Sequence, residues 1–180
     1  MAIFKTRWLL HDKYKFMKRI LFILILLLAY TIPAHAQKIP RSQYTVLEYH
    51  PGSDSSTNFY HIYRKATLSK REIKNIESIL RQCIDKENAD ELIRYNAAKL
   101  KDSNAQKSDY IIALKKYVLQ YIVSISPNGE KIIWVNCFCE PMNGWKDQVI
   151  GVHDGGNCFF NVMINLSKKT YYDFRVNGWA

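Results

Sequence analysis

A cysteine, a histidine and an aspartate near the C-terminus have the residue types of a nucleophilic site. His153, Asp154 and Cys158 lie within six positions of one another, and they could act as base, orienting group and nucleophile. The alternative is a core cysteine beside a turn, because Asp-Gly-Gly at 154–156 suits tight-turn geometry. The sequence favours this alternative, because the strand register predicted below places Cys158 on the core face, where a substrate could not enter. We therefore expect no catalytic residue.

The four cysteines, at 83, 137, 139 and 158, are candidates for disulfides. Cys137 and Cys139 are two positions apart on one predicted strand, so both side chains point the same way, whereas a bridge needs side chains that converge. In the predicted sheet, Cys158 lies two strands away from Cys137. We therefore expect either buried thiols that act as small core residues, or at most one bridge, which would include Cys83 on a helix.

A metal site is the third possible chemistry. His50, His61, His153 and the cysteines are the available ligands, but their spacings match no zinc pattern, and two cysteines share a strand. We expect no metal and no cofactor.

The elements that would position these residues lie between Tyr117 and Ala180. Apolar, β-branched and aromatic runs alternate there with turn signals at 127–129, 142–144, 155–156 and 167–169. This pattern is typical of antiparallel strands joined by short hairpins. A two-residue turn at Gly155-Gly156 would place His153 opposite Cys158, and a three-residue turn would bring Asn161 and Asn165 onto the core face.

Side chains alternate between the two faces of a strand, so the two-residue turn defines two sets of residues. The set expected to face the helix is almost purely apolar: Ile133, Val135, Cys137, Cys139, Val149, Gly151, Cys158, Phe160, Val162 and Ile164. The opposite set, the outer face, is Ile132, Trp134, Asn136, Phe138, Gln148, Ile150, Val152, Phe159, Asn161, Met163 and Asn165. Residues 172, 174 and 176 would reach the helix side only through an odd-length loop or a β-bulge after Ser167.

A capping box at Ser69 to Glu72 predicts the start of the main helix. Ile73, Ile76, Leu80, Cys83 and Ile84 then recur on one helical face, and we expect this helix to end near Lys86. Residues 88–91 resemble a second capping box, which predicts a shorter helix through Leu100. Before the first helix, Tyr44–Tyr49 and Phe59–Ala66 alternate as two strands.

The N-terminal segment has the three regions of a secretory signal peptide. Met17-Lys18-Arg19 is basic, the 13 residues from Ile20 to Ile32 are largely apolar, and Ala34-His35-Ala36 is a cleavage signature. The apolar run is shorter than the roughly 20 residues that span a bilayer. Residues 1–16 look like an over-called start codon or an unusually long n-region. We expect cleavage after Ala36, a mature single α+β domain at 37–180, and no stable membrane span after cleavage.

The charge distribution argues against nucleic-acid binding. The net charge is +10, and residues 1–36 hold six Lys or Arg and one Asp, so the predicted mature chain has a charge of +5. The remaining Lys and Arg are scattered and do not form one basic face.

The predicted architecture is α+β, with one long and one shorter helix packed on a four- to six-stranded antiparallel meander. This element order resembles the cystatin-like and NTF2-like arrangements, in which a curved sheet wraps a helix; the chain has no cystatin inhibitory motif, so no function follows. The motifs WVNCFC (134–139), DGGNCFF (154–160) and YYDFRVNGWA (171–180) also resemble small exported bacterial proteins of unassigned function, over roughly residues 117–180.

The sequence leads us to expect an exported, periplasmic or secreted binding protein with an unknown envelope partner or a second copy of itself. The expected binding surface is the apolar outer face, since a solvent-facing sheet surface is normally polar; its candidate residues are Trp134, Asn136, Phe138, Phe159, Asn161 and Met163. The alternative is that the N-terminal strands, or the 142–146 loop with Trp145, cover this face. A small periplasmic enzyme using Cys158 and His153, or a periplasmic inhibitor or immunity protein, are the other functions considered.

Overall fold

The computed structural model of the chain describes residues 38–48 and 64–178. The predicted signal peptide, most of the second predicted strand, and His50 and His61 lie outside these residues. The described residues from Ile39 onward belong to one compact unit. Among the described residues, no helix combines the length and the apolar character needed to cross a bilayer.

The capping box predicted at Ser69 begins helix α1, Lys70–Lys101. The Glu72 amide donates to Ser69 Oγ at 3.3 Å, and the Ser69 amide donates to Glu72 Oε2 at 2.8 Å. Each bond satisfies an amide that the first helical turn leaves without a partner. The predicted apolar face is confirmed, because its residues are all buried: Ile73, Ile76, Leu80, Cys83 and Ile84.

The prediction that the helix ends near Lys86 is wrong, because α1 continues unbroken for 32 residues. Asn88 does not cap a second helix. Its carboxamide instead donates to the Ile112 carbonyl and accepts from the Ile112 amide, both at 2.8 Å. The last buried residue of α1 is Ile84, so the half of the helix that follows projects past the core and contacts a later segment of the chain.

Six strands form one mixed sheet among the described residues: β1 (Tyr44–Glu48), β2 (Arg64–Lys65), β3 (Val118–Ile125), β4 (Lys131–Phe138), β5 (Phe159–Asn165) and β6 (Thr170–Val176). Strands β3 to β6 form an antiparallel meander, but without the further strand that the sequence predicted between β4 and β5. Short 3-10 turns lie at Arg41–Gln43, Lys107–Asp109, Leu114–Lys116 and Gly156–Cys158.

The expectation of an entirely antiparallel sheet is corrected at the edge of β3. Strand β1 pairs with it in parallel, with Tyr44 opposite Leu119, while β2 pairs antiparallel farther along, with Lys65 opposite Ser124. Helix α1 separates these strands from β3 in sequence, and a connection of that length does not impose the antiparallel return of a tight hairpin.

The predicted division of β4 and β5 into two faces is confirmed. On the side toward α1, the alternating residues of both strands are buried in the main core: Ile133, Val135, Cys137, Phe160, Val162 and Ile164. The register places Val135 opposite Val162. Apolar burial of this kind stabilises by roughly 1.5–3 kcal/mol for each large side chain.

The sequence required an odd-length loop or a β-bulge near Ser167 to bring residues 172, 174 and 176 to the core side. The structure has a bulge farther along β6, and of the three only Phe174 packs against the core. The register with β5 shifts between Asn161 and Met163, and Asp173 adopts a left-handed backbone, with φ of 51°. The extra residue brings Phe174 to the core side, where its ring centroid lies 5.7 Å from that of Phe160. It also leaves Tyr172 exposed and packs Tyr171 against the core instead.

Candidate functional site

Residues 140–157 connect β4 to β5, and we call them the cap loop. The sequence predicted a further strand here with a turn at 155–156, but the cap loop contains no strand. Strands β4 and β5 instead pair directly, with Phe138 opposite Phe159. The predicted two-residue turn is therefore wrong, because the cap loop uses its backbone groups to bind the outer face of the sheet.

A disulfide joins Cys139 to Cys158 at the base of the cap loop. The two Cα atoms are 5.0 Å apart, and the Cys139 amide donates to the Cys158 carbonyl at 3.0 Å. The expectation that a bridge would include Cys83 is wrong. Without an intervening strand, β5 lies beside β4, and the two chain ends at 139 and 158 meet.

Cys83 and Cys137 are free thiols buried in the core, as the alternative interpretation expected. Burial raises the pKa of Cys83 to about 12, with a smaller contribution from the Glu87 charge, and burial raises that of Cys137 well above its ordinary value. Because the thiolate is the reactive form, both residues act as small apolar side chains.

The nucleophilic set that the sequence analysis considered and disfavoured does not form. The sulfur of Cys158 is bonded to Cys139, so no thiol faces His153, which is exposed. The carbonyl of Asp154 accepts from Asn177 Nδ2 at 3.2 Å, a contact that holds the C-terminal segment against the cap loop. Within residues 38–48 and 64–178, no group of three or more His, Cys, Asp or Glu could hold a metal.

The cap loop covers one end of the outer face. Trp145 is buried and packs edge-on against Phe138, with 6.2 Å between ring centroids. Phe138 is fully buried, beside Val118. The alternative in which the 142–146 loop covers this face therefore holds at this end, and Phe138 is a core residue instead of the exposed anchor that the sequence suggested.

Gln120 fastens the cap loop to the sheet. This β3 residue is fully buried, and its Nε2 donates to the carbonyls of Trp145, at 2.5 Å, and Gln148, at 2.7 Å. Its Oε1 accepts from the Ile150 amide and from Asn136 Nδ2, both at 3.0 Å. All four hydrogen-bonding positions of the carboxamide are occupied, as burial of an amide requires.

The other predicted binding residues lie on the outer face but differ in their surroundings. Asn136 Nδ2 also donates to the Ile150 carbonyl at 2.7 Å, so this side chain belongs to the cap attachment. Phe159 is partly buried beside Trp145. Trp134, Asn161 and Met163 are half-buried, and Trp134 packs with Val149 against the buried pair Leu47 and Ile122.

A cleft of about 670 Å³ lies beside the projecting half of α1. The sequence did not predict it. Its walls are α1, residues 102–112 and the C-terminal end of β6. The charged residues that line it are four acids and one base: Glu87, Glu91, Asp102, Asp109 and Arg94. Apolar lining comes from Tyr110, Ile112, Phe174 and Val176.

Specific bonds set the shape of this cleft. The Asn88 carboxamide holds Ile112 against α1, and Asn157 Nδ2 donates to the Ser108 carbonyl at 2.7 Å. Arg94 forms an ion pair with Glu91 at 2.9 Å, and the Arg94 side chain is largely exposed. The sequence shows that Glu87 and Glu91 are four positions apart. It did not predict the facing wall at residues 102–112, because the predicted helix ended near Lys86.

Comparison of this chain with family models, with curated proteins and with solved structures gives no match.

Proposed function

We propose that the chain is an exported, non-enzymatic protein of the cell envelope that binds a positively charged segment of another polypeptide in the acidic cleft. One observation carries this proposal: four carboxylates and a single guanidinium line the cleft, although the chain without residues 1–36 has a net charge of +5. Charges of one sign gathered in a concave surface attract ligands of the opposite sign.

The apolar lining supports a polypeptide over a small cation. Phe174 and Val176 line the same cleft as the acids, on its β6 wall, and Val176 is exposed. A segment that alternates lysine or arginine with apolar residues would place its charges near the carboxylates and its apolar side chains on β6. Aromatic and apolar contacts of this kind supply most of the affinity at interfaces.

Two of the four acids of the cleft accept hydrogen bonds from neighbouring residues, which supports binding over catalysis. Asp102 Oδ1 accepts from the Asn104 amide at 2.8 Å, and Asp109 Oδ1 accepts from Ser108 Oγ at 3.3 Å. These bonds orient the carboxylates of Asp102 and Asp109 at the edge of the cleft. A periplasmic inhibitor or immunity protein is one form that such a binding protein takes.

The disulfide supports export, because such bridges persist mainly in oxidising compartments outside the cytoplasm. We place the protein in the periplasm or in the secreted fraction, after removal of residues 1–36. We also propose the cystatin-like or NTF2-like arrangement, which is supported by one long helix packed on a mostly antiparallel sheet.

Fluorescence anisotropy with labelled peptides of alternating lysine and leucine, and with glutamate–leucine peptides as the reverse-charge probe, tests the cleft. We expect the lysine peptide to bind to residues 37–180 at least about tenfold more tightly, and this preference should weaken as salt rises.

Matched charge reversals locate the binding. Glu87→Lys with Asp109→Lys should abolish the preference for the lysine peptide, because both side chains line the cleft. Asp90→Lys with Glu140→Lys changes the net charge equally at two exposed positions outside it and should retain most of the preference. Equal loss in both double variants would show that net charge, and not the cleft, attracts the peptide.

The uncovered part of the outer face is a second candidate interface. Asn161 and Met163 are half-buried beyond the cap loop, on a surface where a second copy or an envelope protein could bind. Sedimentation velocity of the wild type and of the Met163→Lys variant tests this candidate. We expect the wild type to self-associate and the variant to be monomeric, because the lysine places a charge in the interface. A wild type that is monomeric at high concentration would exclude the dimer.

A further inference from the structure

The cap loop is held in two different ways. At its base the Cys139–Cys158 bridge closes a segment with a sequence separation of 19. Along its span, the loop is held by hydrogen bonds from Gln120 and Asn136 and by the contact of Trp145 with Phe138. Reduction of the disulfide breaks the covalent attachment and does not alter the groups that make the other contacts.

The four cysteines divide into a reachable pair and an unreachable pair. Cys139 and Cys158 are half-buried, so an external thiol can approach the bridge. Cys83 and Cys137 are fully buried, and their burial suppresses the thiolate that would attack a disulfide. Although Cys137 is only two positions from Cys139, internal exchange is therefore disfavoured, and the electrons for reduction must come from outside the chain.

The main core does not depend on the cap loop. Its buried residues come from α1, the strands and the segments that flank them, and among the described residues of this cluster none lies in 140–157. The loop belongs to a separate cluster with Val118, Phe138 and Trp145. Release of the loop would therefore expose the outer face while α1 remains packed on the other side of the sheet.

We propose that the Cys139–Cys158 disulfide is a redox-operated latch, which a dithiol oxidoreductase opens to release the cap loop and uncover Phe138. A thiolate of the partner attacks one sulfur of the bridge and forms a mixed disulfide, and the partner's second thiol then displaces the chain's cysteine. Two electrons and two protons pass to the chain, leaving thiols at 139 and 158, and the partner is left with a disulfide.

Hydrogen exchange followed by mass spectrometry tests the latch. The full mature protein is compared as purified and after reduction by a thioredoxin-class dithiol protein at pH 7. The pairing of Phe138 with Phe159 also holds the ends of the loop together, so loss of the bridge affects local opening less than global unfolding. Reduction should raise the population of the open loop by about tenfold. We expect amides at 142–152 to exchange faster by about that factor, while amides at 76–84 of α1 keep their protection.

The double variant with Cys139→Ser and Cys158→Ser provides the matched reduced state. Its cap loop should exchange at the rate of the reduced wild type, and it should not respond to the dithiol. Unchanged exchange at 142–152 after reduction would overturn the proposal, because the hydrogen bonds alone would then hold the loop. Equal loss of protection in α1 and in the cap loop would also overturn it, because the bridge would then support the whole fold.

Discussion

Gln120 on β3 and Asn136 on β4 lie directly opposite each other, and Asn136 Nδ2 donates to Gln120 Oε1 at 3.0 Å. This cross-strand amide pair is the polar base on which the cap loop rests. Each side chain also forms hydrogen bonds to backbone groups of the cap loop. The pair therefore connects the β3–β4 ladder to a segment that has no strand. The stability of the loop should therefore be sensitive to either residue.

Replacing Gln120 with alanine should lower the free energy of unfolding by about 3 kcal/mol, because the buried carbonyls and amide it satisfies would lose their partner. Chemical denaturation monitored by circular dichroism measures the change. Gln106→Ala is the control, since Gln106 is exposed and bonds only to a nearby carbonyl, and it should cost less than about 0.5 kcal/mol. A cost below about 1 kcal/mol for Gln120→Ala would contradict the network.

Substitutions on the outer face should lower the free energy of unfolding more under the cap loop than beyond it. Phe138→Ala should destabilise by about 3–5 kcal/mol, because the side chain is fully buried beneath Trp145. Met163→Ala, at a half-buried position, should cost less than about 1.5 kcal/mol. Equal costs in the two variants, measured by the same denaturation experiment, would mean that the cap loop does not distinguish the two ends.

Asn88 should control the wall of the acidic cleft. In Asn88→Ala, the Ile112 amide and carbonyl lose their partner, and the free energy of unfolding should fall by about 1–2 kcal/mol. The Ile112 amide should exchange with solvent faster than in the wild type. Asn96→Ala, at an exposed position of the same helix, is the matched control and should leave Ile112 protected. An unchanged exchange rate in Asn88→Ala would show that other contacts hold this wall.

Glu72 should make stability depend on pH. The hydrogen bond from Lys131, followed by that from the Ser69 amide, lowers the pKa of Glu72 from its ordinary 4.5 to about 2. Because the folded pKa is the lower one, the contribution of the carboxylate is present above pH 4.5 and is lost as the pH falls toward 2. Glu72→Gln should therefore cost about 1 kcal/mol at pH 6, with a smaller difference from wild type at pH 2.5.

Denaturation at both pH values measures this difference. Glu91→Gln is the control, since Glu91 forms an exposed ion pair with Arg94 that contributes less than about 0.5 kcal/mol. A constant gap between wild type and Glu72→Gln from pH 6 to pH 2.5 would exclude the ionised carboxylate as its source.

The cysteine states can be checked by tryptic digestion without reduction. Cys83 lies in peptide 82–86, Cys137 and Cys139 share peptide 132–146, and Cys158 lies in 147–168. Mass spectrometry should find 132–146 joined to 147–168. Iodoacetamide should modify Cys83 and Cys137 only after denaturation, because burial raises the pKa of both thiols. A bridged peptide 82–86 would contradict the assigned pairing.

Local patterns in the sequence were sufficient to predict the helix start, the strands β3 to β6 and the face of β4 and β5 that packs against α1. The capping box depends on residues three positions apart, and the strand faces depend on a period of two. The bulge in β6 was foreseen only in part, because it lies at Asp173 instead of near Ser167 and brings Phe174 alone, of residues 172, 174 and 176, to the core side. Each of these features is determined by neighbours in the sequence.

The sequence did not predict the features that depend on distant partners. Residues 146–153 alternate as a strand would, but Gln120, which lies more than 20 positions earlier, binds their backbone and holds them as a loop. The pairing of Cys139 with Cys158 then follows from the loss of that strand. In the same way, the outer wall of the acidic cleft depends on Asn88 reaching Ile112, 24 positions away.

The parallel pairing of β1 with β3 sets an order for folding. Tyr44 and Leu119 are 75 positions apart, whereas the hairpin from β3 to β4 closes over a few residues at 126–130. Contacts between distant positions are slow to form because loop closure costs entropy first. The meander should therefore assemble before β1 docks, and β3 would present an open, apolar edge during that interval. An unpaired edge of this kind can pair with another chain and cause aggregation. The five residues of β1 prevent this by pairing with β3.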